Sequence, residues 1–171
     1  MNVDLFDFDL PSDRIALRPA APRDAARMLV LDGDATRDAG VRDLPRCLRP
    51  GDCLVFNDTR VIPAQLTGQR GEARIGATLH KREGPRRWQA FVKGAKRLRI
   101  GDMVDFGQGV AAYVVARHND GSIVFDFAGE EPVELLLERA GRMPLPPYIA
   151  GKRTPDARDA ADYQTMFAAE P

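Results

Sequence analysis

A polar tetrapeptide, Asn57-Asp58-Thr59-Arg60, stands between two apolar runs of the chain. Asp58 offers a carboxylate that can act as a base, and Arg60 offers a guanidinium that can bind a carboxylate or phosphate through two parallel hydrogen bonds. Asn57 and Thr59 can orient either group or cap a turn. Two interpretations stay open: a site at the end of a strand, or a surface turn whose Asp–Arg pair contributes less than about 1 kcal/mol.

A second candidate lies in a loop that two prolines stiffen. Pro19 and Pro22 fix their own φ angles, and Arg23 and Asp24 follow directly, just before the next apolar run. Arg23 and Asp24 would add a cation and an anion to a polar pocket. Alternatively, Asp24 is the N-cap of a short helix, and the sequence leaves both interpretations open.

A third candidate is the basic run Lys93-Gly94-Ala95-Lys96-Arg97. A glycine beside cations lets the backbone approach a phosphate closely, which suits nucleic-acid contact. The alternative is a hairpin turn with solvated lysines. The wider charge pattern bears on this choice, because the run belongs to a strongly basic segment of the chain.

The whole chain has a formal net charge of zero, but the charge is unevenly distributed. Between Gln65 and Ile100, ten basic side chains oppose two acidic ones, so this segment carries +8 and the remainder −8. Such a division suggests a module that faces a polyanion. A solvated face of a sheet is the alternative.

Metal and membrane sites are not expected. Cys47 and Cys53 lack zinc-site spacing, and both are expected to be reduced. His80 and His118 have no partners at metal-ligand spacing and are expected to be structural. The N-terminus lacks a signal-peptide pattern, and no apolar run reaches the roughly 18 residues of a membrane helix. We therefore expect a soluble, cytoplasmic protein.

The segment from Leu66 to about Ile149 alternates short β-like runs with glycine-containing turns. Five or six strands at this spacing predict a small all-β barrel or sandwich. Closing the sheet removes exposed edges. The expected strands cover Ala73–Leu79, Trp88–Val92, Met103–Phe106, Val110–Ala116 and Ile123–Phe127.

The first 65 residues predict a mixed α/β arrangement. Two apolar runs, Arg27–Leu31 and Cys53–Phe56, favour buried strands. Ligands of open α/β sheets bind beyond the carboxyl ends of strands. Since the polar tetrapeptide follows Cys53–Phe56, we expect Asp58 and Arg60 to leave a dry strand and enter a cleft.

Two further expectations concern helices and the barrel core. Pro132 near the start and Gly141 past the end predict a helix over Pro132–Ala140. A second helix is expected over Asp159–Ala168, with Asp162 as a cap. Trp88 and Phe91 are expected inside the barrel, because a small barrel needs aromatic side chains in its core.

Several motifs, in this order, resemble those of a known family. They are F-D-F-D-L-P at residues 6–11, P-R-D at 22–24, N-D-T-R-V-I-P-A at 57–64, K-R-L at 96–98, M-P-L-P-P-Y-I at 143–149 and Y-Q-T at 163–165. Over nearly its whole length the chain is similar to the S-adenosylmethionine:tRNA ribosyltransferase-isomerases of queuosine biosynthesis. It departs from them at Ala26, where Ser is frequent, and at Gly94-Ala95, where Pro-Ser is frequent.

The resemblance implies a fold with two domains. An α/β domain, split in sequence, would comprise residues 1–65 and resume at 150–171, and a small all-β barrel would be inserted at 66–149. The family is about twice as long as this chain. The resemblance therefore implies that the α/β domain is incomplete and that the chain is a truncated form.

The resemblance also implies an activity. The family transfers and isomerises the ribosyl moiety of S-adenosylmethionine onto 7-aminomethyl-7-deazaguanine at the wobble position of a tRNA. Epoxyqueuosine-tRNA forms, and adenine and methionine leave. S-adenosylmethionine is a co-substrate, no metal or redox cofactor is expected, and the protein is expected to be a monomer.

Residue roles follow from the matched motifs. Asp58 is expected to remove a proton from the carbon beside the sulfonium, with Arg60 orienting it or binding the methionine carboxylate. Expected to bind substrate are Arg23, Asp24, Asn57, Thr59, Tyr148, Tyr163 and Gln164; expected to bind RNA are Lys93, Lys96 and Arg97. The alternatives are a non-catalytic RNA-binding barrel fragment, and an unrelated sugar- or phosphate-acting α/β enzyme.

Overall fold

The computed structural model describes residues 2–168 and divides into two compact units. One unit comprises the chain up to Phe56 together with Pro147–Thr154. The other comprises Asn57–Pro146 and the chain from Pro155 onward. The predicted domain limits at residues 65/66 and 149/150 stay predictions, and the last three residues of the predicted return segment lie outside the described part of the chain.

Strands and helices occur in both units. The strands are β1 (Arg27–Asp32), β2 (Ala35–Gly40), β3 (Gln65–Arg70), β4 (Ala73–Arg82), β5 (Arg87–Lys93), β6 (Met103–Asp105), β7 (Ala111–Arg117) and β8 (Ile123–Phe127). The α-helices are α1 (Val133–Ala140), α2 (Pro147–Ala150) and α3 (Asp159–Asp162). Short 3-10 helices cover Val3–Phe6, Ser12–Arg14, Arg23–Ala25, Val41–Cys47 and Ala95–Arg97.

The second unit contains a closed antiparallel barrel with the strand order β3-β4-β5-β8-β7-β6. Its strands alternate apolar and polar residues, and the apolar set points inward because successive side chains of a strand point to opposite faces. On β4, for example, Ile75, Ala77 and Leu79 are buried. Phe125 meets the ring of Phe106 edge to face, with centroids 5.7 Å apart. The predicted barrel is confirmed.

Closure of the barrel between β3 and β6 depends on a glycine. Gln69 pairs with Asp105 across this junction. At the neighbouring Gly68, a Cβ atom would clash with the Asp105 carbonyl oxygen and would lie 2.7 Å from the Phe106 ring. Only a residue without a side chain lets the two strands approach this closely.

Helix α1 adds apolar side chains to the barrel core. Val133, Leu136 and Leu137 are buried at the spacing of one helix face and belong to the same apolar cluster as the barrel strands. Pro132 precedes the helix, and the amide of Gly141 donates to the Leu137 carbonyl at its end. The predicted helix is confirmed, with its first residue one position later than expected.

The first unit has a different character. Strands β1 and β2 form a hairpin in which Arg27 pairs with Gly40 and Asp32 with Ala35, across a turn that contains Gly33 with φ +59°. None of residues 2–56 is buried. The chain that returns after the barrel is tied to this unit where the Arg153 Nε donates to the Leu17 carbonyl, 3.1 Å away.

Several sequence-based expectations are corrected. Cys53–Phe56 is not a buried strand: it lies outside the strands, and the side chain of Val55 is 90% exposed. Arg27–Leu31 does form a strand, but it is not buried, because the first unit places no second layer over the hairpin. The expected helix over Asp159–Ala168 ends at Asp162, which is its last residue and not its cap.

The expectation for the two aromatic residues of β5 is half right. Trp88 lies in the core, whereas Phe91 is 57% exposed. The two residues are three positions apart, so the alternation of a strand places them on opposite faces. In the part of the chain that the structure describes, no helix combines the length and the apolar character that crossing a membrane requires.

Candidate functional site

The polar tetrapeptide forms a local turn at the surface of the second unit. The Asn57 Oδ1 accepts a hydrogen bond from the Thr59 amide at 3.1 Å and another from the Thr59 hydroxyl. Asn57 and Thr59 are therefore used to shape the turn. Asp58 and Arg60 are exposed, and neither makes an ion pair with any residue between 2 and 168. Arg60 therefore does not orient Asp58 through a direct ion pair, as the sequence led us to expect.

Gln164 fixes the chain next to the tetrapeptide. Its side-chain Oε1 accepts a hydrogen bond from the Val61 amide at 2.8 Å, and its Nε2 donates to the Val61 carbonyl at 3.2 Å. The side-chain amide thereby pairs with the backbone as a neighbouring strand would. The structure thus brings the Y-Q-T motif next to the residue that follows N-D-T-R, since Val61 and Gln164 are 103 residues apart in sequence.

Tyr163 lies directly after α3, and its amide donates to the Asp159 carbonyl at 3.0 Å. Asp159 is buried, and its Oδ2 accepts a hydrogen bond from the amide of Asp156 at 2.8 Å. These local bonds fix the turn that presents Tyr163 and Gln164. Both side chains are half-buried, and their expected contact with substrate stays a prediction.

The remaining candidates for substrate binding lie in the first unit. Asp24 sits inside the short 3-10 helix Arg23–Ala25, for which Pro22 is the N-cap residue, so the interpretation of Asp24 as a helix N-cap is wrong. Arg23 begins that helix and is exposed. Tyr148 belongs to α2 and is 58% exposed.

Asp24 has a partner that the sequence did not reveal. Its carboxylate accepts two hydrogen bonds from the Arg42 guanidinium, from Nε at 2.9 Å and from Nη2 at 3.1 Å. This bonding lowers the pKa of Asp24 below its ordinary value and raises that of Arg42. The hairpin explains the contact, since it joins the residues before β1 to those after β2: the Val41 amide donates to the Ala26 carbonyl at 2.9 Å. If the hairpin register could have been read from the sequence, it would have placed Arg42 near Asp24.

The basic cluster, which we define as Lys93, Lys96 and Arg97, lies at the end of β5 and in the 3-10 helix Ala95–Arg97. Gly94 joins the two elements with φ +91°, and a Cβ there would lie 3.1 Å from the Arg74 carbonyl oxygen. All three cations are exposed, and none has an acidic partner within ion-pair distance in the described chain. Their arrangement can accept phosphate groups.

Among residues 2–168, no group of three or more His, Cys, Asp or Glu side chains is placed to hold a metal ion. Cys47 and Cys53 are free thiols. His118 lies 3.9 Å from a Glu83 carboxylate oxygen, and the ring of His80 stacks on Phe91.

Comparison with known proteins gives extensive matches. A family model of queuosine biosynthesis proteins matches residues 3–171. The S-adenosylmethionine:tRNA ribosyltransferase-isomerase of Sphingopyxis alaskensis is 75% identical over 170 residues, covering 99% of this chain and 48% of that protein. The protein of the same name from Rhizorhabdus wittichii is 71% identical, covering 99% of this chain and 50% of its own length.

Among solved structures, an S-adenosylmethionine tRNA ribosyltransferase from Thermotoga maritima is 32% identical, with a TM-score of 0.37, and the match covers 71% of this chain and 44% of that one. The chain thus spans about half the length of the curated relatives that it matches.

Proposed function

Because the chain belongs to the queuosine biosynthesis protein family, we propose that it supplies the corresponding part of an S-adenosylmethionine:tRNA ribosyltransferase-isomerase. The observation that carries this proposal is the 75% identity to such a protein across 99% of the chain. The whole enzyme would transfer and isomerise the ribosyl moiety of S-adenosylmethionine onto 7-aminomethyl-7-deazaguanine in tRNA. It would act as a monomer in the cytoplasm, with no metal or redox cofactor.

The proposed chemistry needs a base beside the sulfonium. The positive sulfur acidifies the neighbouring carbon, and a carboxylate nearby can remove its proton and also stabilise the cation. Asp58 suits this role because no described cation neutralises its carboxylate and because a local turn supports it. Arg60 is likewise without an acidic partner among the described residues, which suits binding of the methionine carboxylate.

The α/β character of the first unit belongs to the same proposal. The barrel has its own apolar core, whereas none of residues 2–56 is buried. In a protein of the relatives' length, further chain would pack on the first unit and complete an α/β domain. Substrate binding would then require residues that this chain does not contain.

The role of Asp58 is tested in a full-length protein by Asp58→Asn, which keeps the shape of the side chain but removes the base. We expect adenine release to fall by at least about a thousandfold, while tRNA affinity changes by no more than a few-fold. The matched control is Asp38→Asn, which alters an exposed carboxylate on β2. Normal adenine release by the Asp58→Asn protein would exclude Asp58 as the base.

A second function is favoured by the contrast between the two units. A closed barrel with its own core and an unpaired basic cluster can bind RNA without any catalysis. Isothermal titration of the 171-residue chain with S-adenosylmethionine separates the two functions. Binding supports a pocket retained in this part of the enzyme, and absence of binding together with RNA affinity supports an RNA-binding barrel.

A further inference from the structure

An aromatic pair lies on the outer surface of the barrel. Phe91 of β5 stacks on His80 of β4, with ring centroids 4.2 Å apart and planes inclined by 17°. Single exposed apolar side chains are ordinary on protein surfaces. This one differs because a second ring holds its orientation while 57% of the residue stays exposed.

The basic cluster begins on the same face of the same strand. Lys93 is two residues after Phe91 and therefore points to the same side of β5. The residue opposite Lys93 on β4 is Gly76, which has no side chain to cover it. The positive φ of Gly94 then turns the chain so that Lys96 and Arg97 follow directly.

Some other barrel cations are paired with carboxylates, unlike those of this cluster. Arg70, Arg82 and Arg87 each contact a carboxylate, at 3.0, 3.2 and 2.8 Å respectively. In the described chain the cluster has no such partners, so its charge remains available to an external anion. Repulsion among unpaired cations is unfavourable in the free protein, and a polyanion would relieve it.

One carboxylate, that of Asp120, interacts electrostatically with His80. Asp120 accepts hydrogen bonds from the hydroxyl and the amide of Ser122, at 2.7 and 2.9 Å. These bonds lower its pKa below the ordinary value, and His118 and His80 add smaller electrostatic contributions. Asp120 is therefore bonded to Ser122, and in the described chain it makes no ion pair with Lys93, Lys96 or Arg97.

We propose that Phe91, backed by His80, is a stacking platform for an unpaired RNA base whose neighbouring phosphates contact Lys93, Lys96 and Arg97. The proposal rests on the proposed function, which supplies an RNA substrate, and adds a contact to one of its unpaired bases. Aromatic rings bind unpaired bases by stacking and tolerate any sequence, because every base has a π face. A protein partner could bury only one exposed ring here, and the neighbouring cations favour RNA instead.

The test uses the 171-residue chain and a labelled, unstructured RNA of about eight nucleotides, with fluorescence anisotropy as the readout. A second RNA of the same length carries abasic riboses, so it keeps the phosphates and lacks the bases. Phe91→Leu keeps an apolar side chain without a π face, and Phe91→Trp keeps the π face. Tyr113→Leu is the matched control, because Tyr113 is 46% exposed on β7, which β8 separates from β5.

We expect Phe91→Leu to weaken binding of the base-bearing RNA by about 5- to 100-fold and to leave binding of the abasic RNA unchanged. Phe91→Trp should bind at least as tightly as the unchanged chain, and Tyr113→Leu should have no effect. The double substitution Lys96→Ala with Arg97→Ala should weaken binding of both RNAs and reduce the dependence on salt concentration.

Each outcome separates the platform from the proposed function. If Phe91→Leu affects both RNAs equally or neither, the platform is rejected, while a salt-dependent loss in the lysine–arginine variant still supports an RNA-binding face. If the unchanged chain binds neither RNA, the platform and the RNA-binding face are rejected, while the proposed ribosyl transfer is still decided by adenine release in the full-length protein. Should Phe91→Leu not fold, quenching of the new indole in Phe91→Trp by RNA is measured against buried Trp88, and absence of quenching rejects the platform.

Discussion

At the scale of single residues, the structure pairs Asp24, a predicted site residue, with Arg42, which the sequence did not indicate. Both side chains are about half exposed, so the pair contributes little to the free energy of unfolding. Its two parallel hydrogen bonds instead fix the orientation of the Asp24 carboxylate. The Asp24 carboxylate is therefore held as an oriented, ionised group.

This arrangement predicts a measurable change in titration. In Arg42→Ala, the pKa of Asp24 should rise toward its ordinary value, because the hydrogen bonds that favour the ionised form are gone. A depressed folded-state pKa stabilises the protein above the unfolded pKa of about 3.9, and this contribution disappears as pH falls through the folded value. NMR titration of the Asp24 carboxyl carbon measures the shift.

The control for this titration is Arg37→Ala, which removes an exposed cation of the same hairpin. The difference in unfolding free energy between the unchanged chain and Arg42→Ala should shrink as the pH falls below about 4. An Asp24 pKa that does not change in Arg42→Ala would contradict the assignment.

At the scale of elements, the position of the N-D-T-R turn depends on a side chain 103 residues away from Val61. The Gln164 amide replaces a strand neighbour for the Val61 peptide group, just before β3 begins. These hydrogen bonds connect the chain just before β3 to the segment that follows the barrel. The turn that carries Asp58 is therefore held by tertiary structure and not by its own sequence alone.

The hydrogen bonds between Gln164 and Val61 predict a pattern of hydrogen exchange. In Gln164→Leu, the Val61 amide loses its acceptor, so its exchange should accelerate by about fivefold, corresponding to one hydrogen bond of about 1 kcal/mol. Gln164→Glu keeps an acceptor for that amide and removes only the donor to the Val61 carbonyl. Val61 exchange should therefore remain slow in Gln164→Glu.

The amide of Leu66 in β3 serves as the internal reference, since the barrel ladder should keep its exchange rate constant in both variants. Equal exchange of the Val61 amide in the unchanged chain and in Gln164→Leu would show that Gln164 does not hold the turn.

At the scale of the whole molecule, the two units differ in how well they are packed. The barrel and α1 share one apolar cluster. The first unit exposes many large apolar side chains, including Val3, Leu5, Phe6, Phe8, Leu29, Leu31, Leu54, Val55 and Phe56. So many exposed apolar side chains in one unit indicate a region that another part of a protein covers.

We expect a full-length protein of the relatives' size to protect this surface. Hydrogen–deuterium exchange of the amides in residues 5–8 and 54–56 should be slower in the full-length protein than in the 171-residue chain. The barrel amides of Ile75 and Val104, both buried, should exchange at similar rates in the two proteins. Equally fast exchange of both apolar segments in the two proteins would mean that the additional chain packs elsewhere.

Sequence reasoning succeeded where the governing interactions are local. Short β-like runs between glycine-containing turns indicated five of the six barrel strands, and Pro132 with Gly141 bounded α1. It failed where one local pattern is compatible with two structures, a buried strand and an exposed segment. Cys53–Phe56 is as apolar as a buried strand, yet it is exposed, because burial depends on which other elements cover it.

By itself, the sequence determined the family, the all-β character of the middle segment and its excess of basic charge, since motif order, the spacing of short β-like runs and charge are properties of the chain alone. Only the tertiary structure decided that Arg42 bonds to Asp24, that Gln164 holds Val61 and that Phe91 stacks outside the barrel. The physical reason is that these contacts depend on strand register and on chain return, which bring together residues that no local pattern connects.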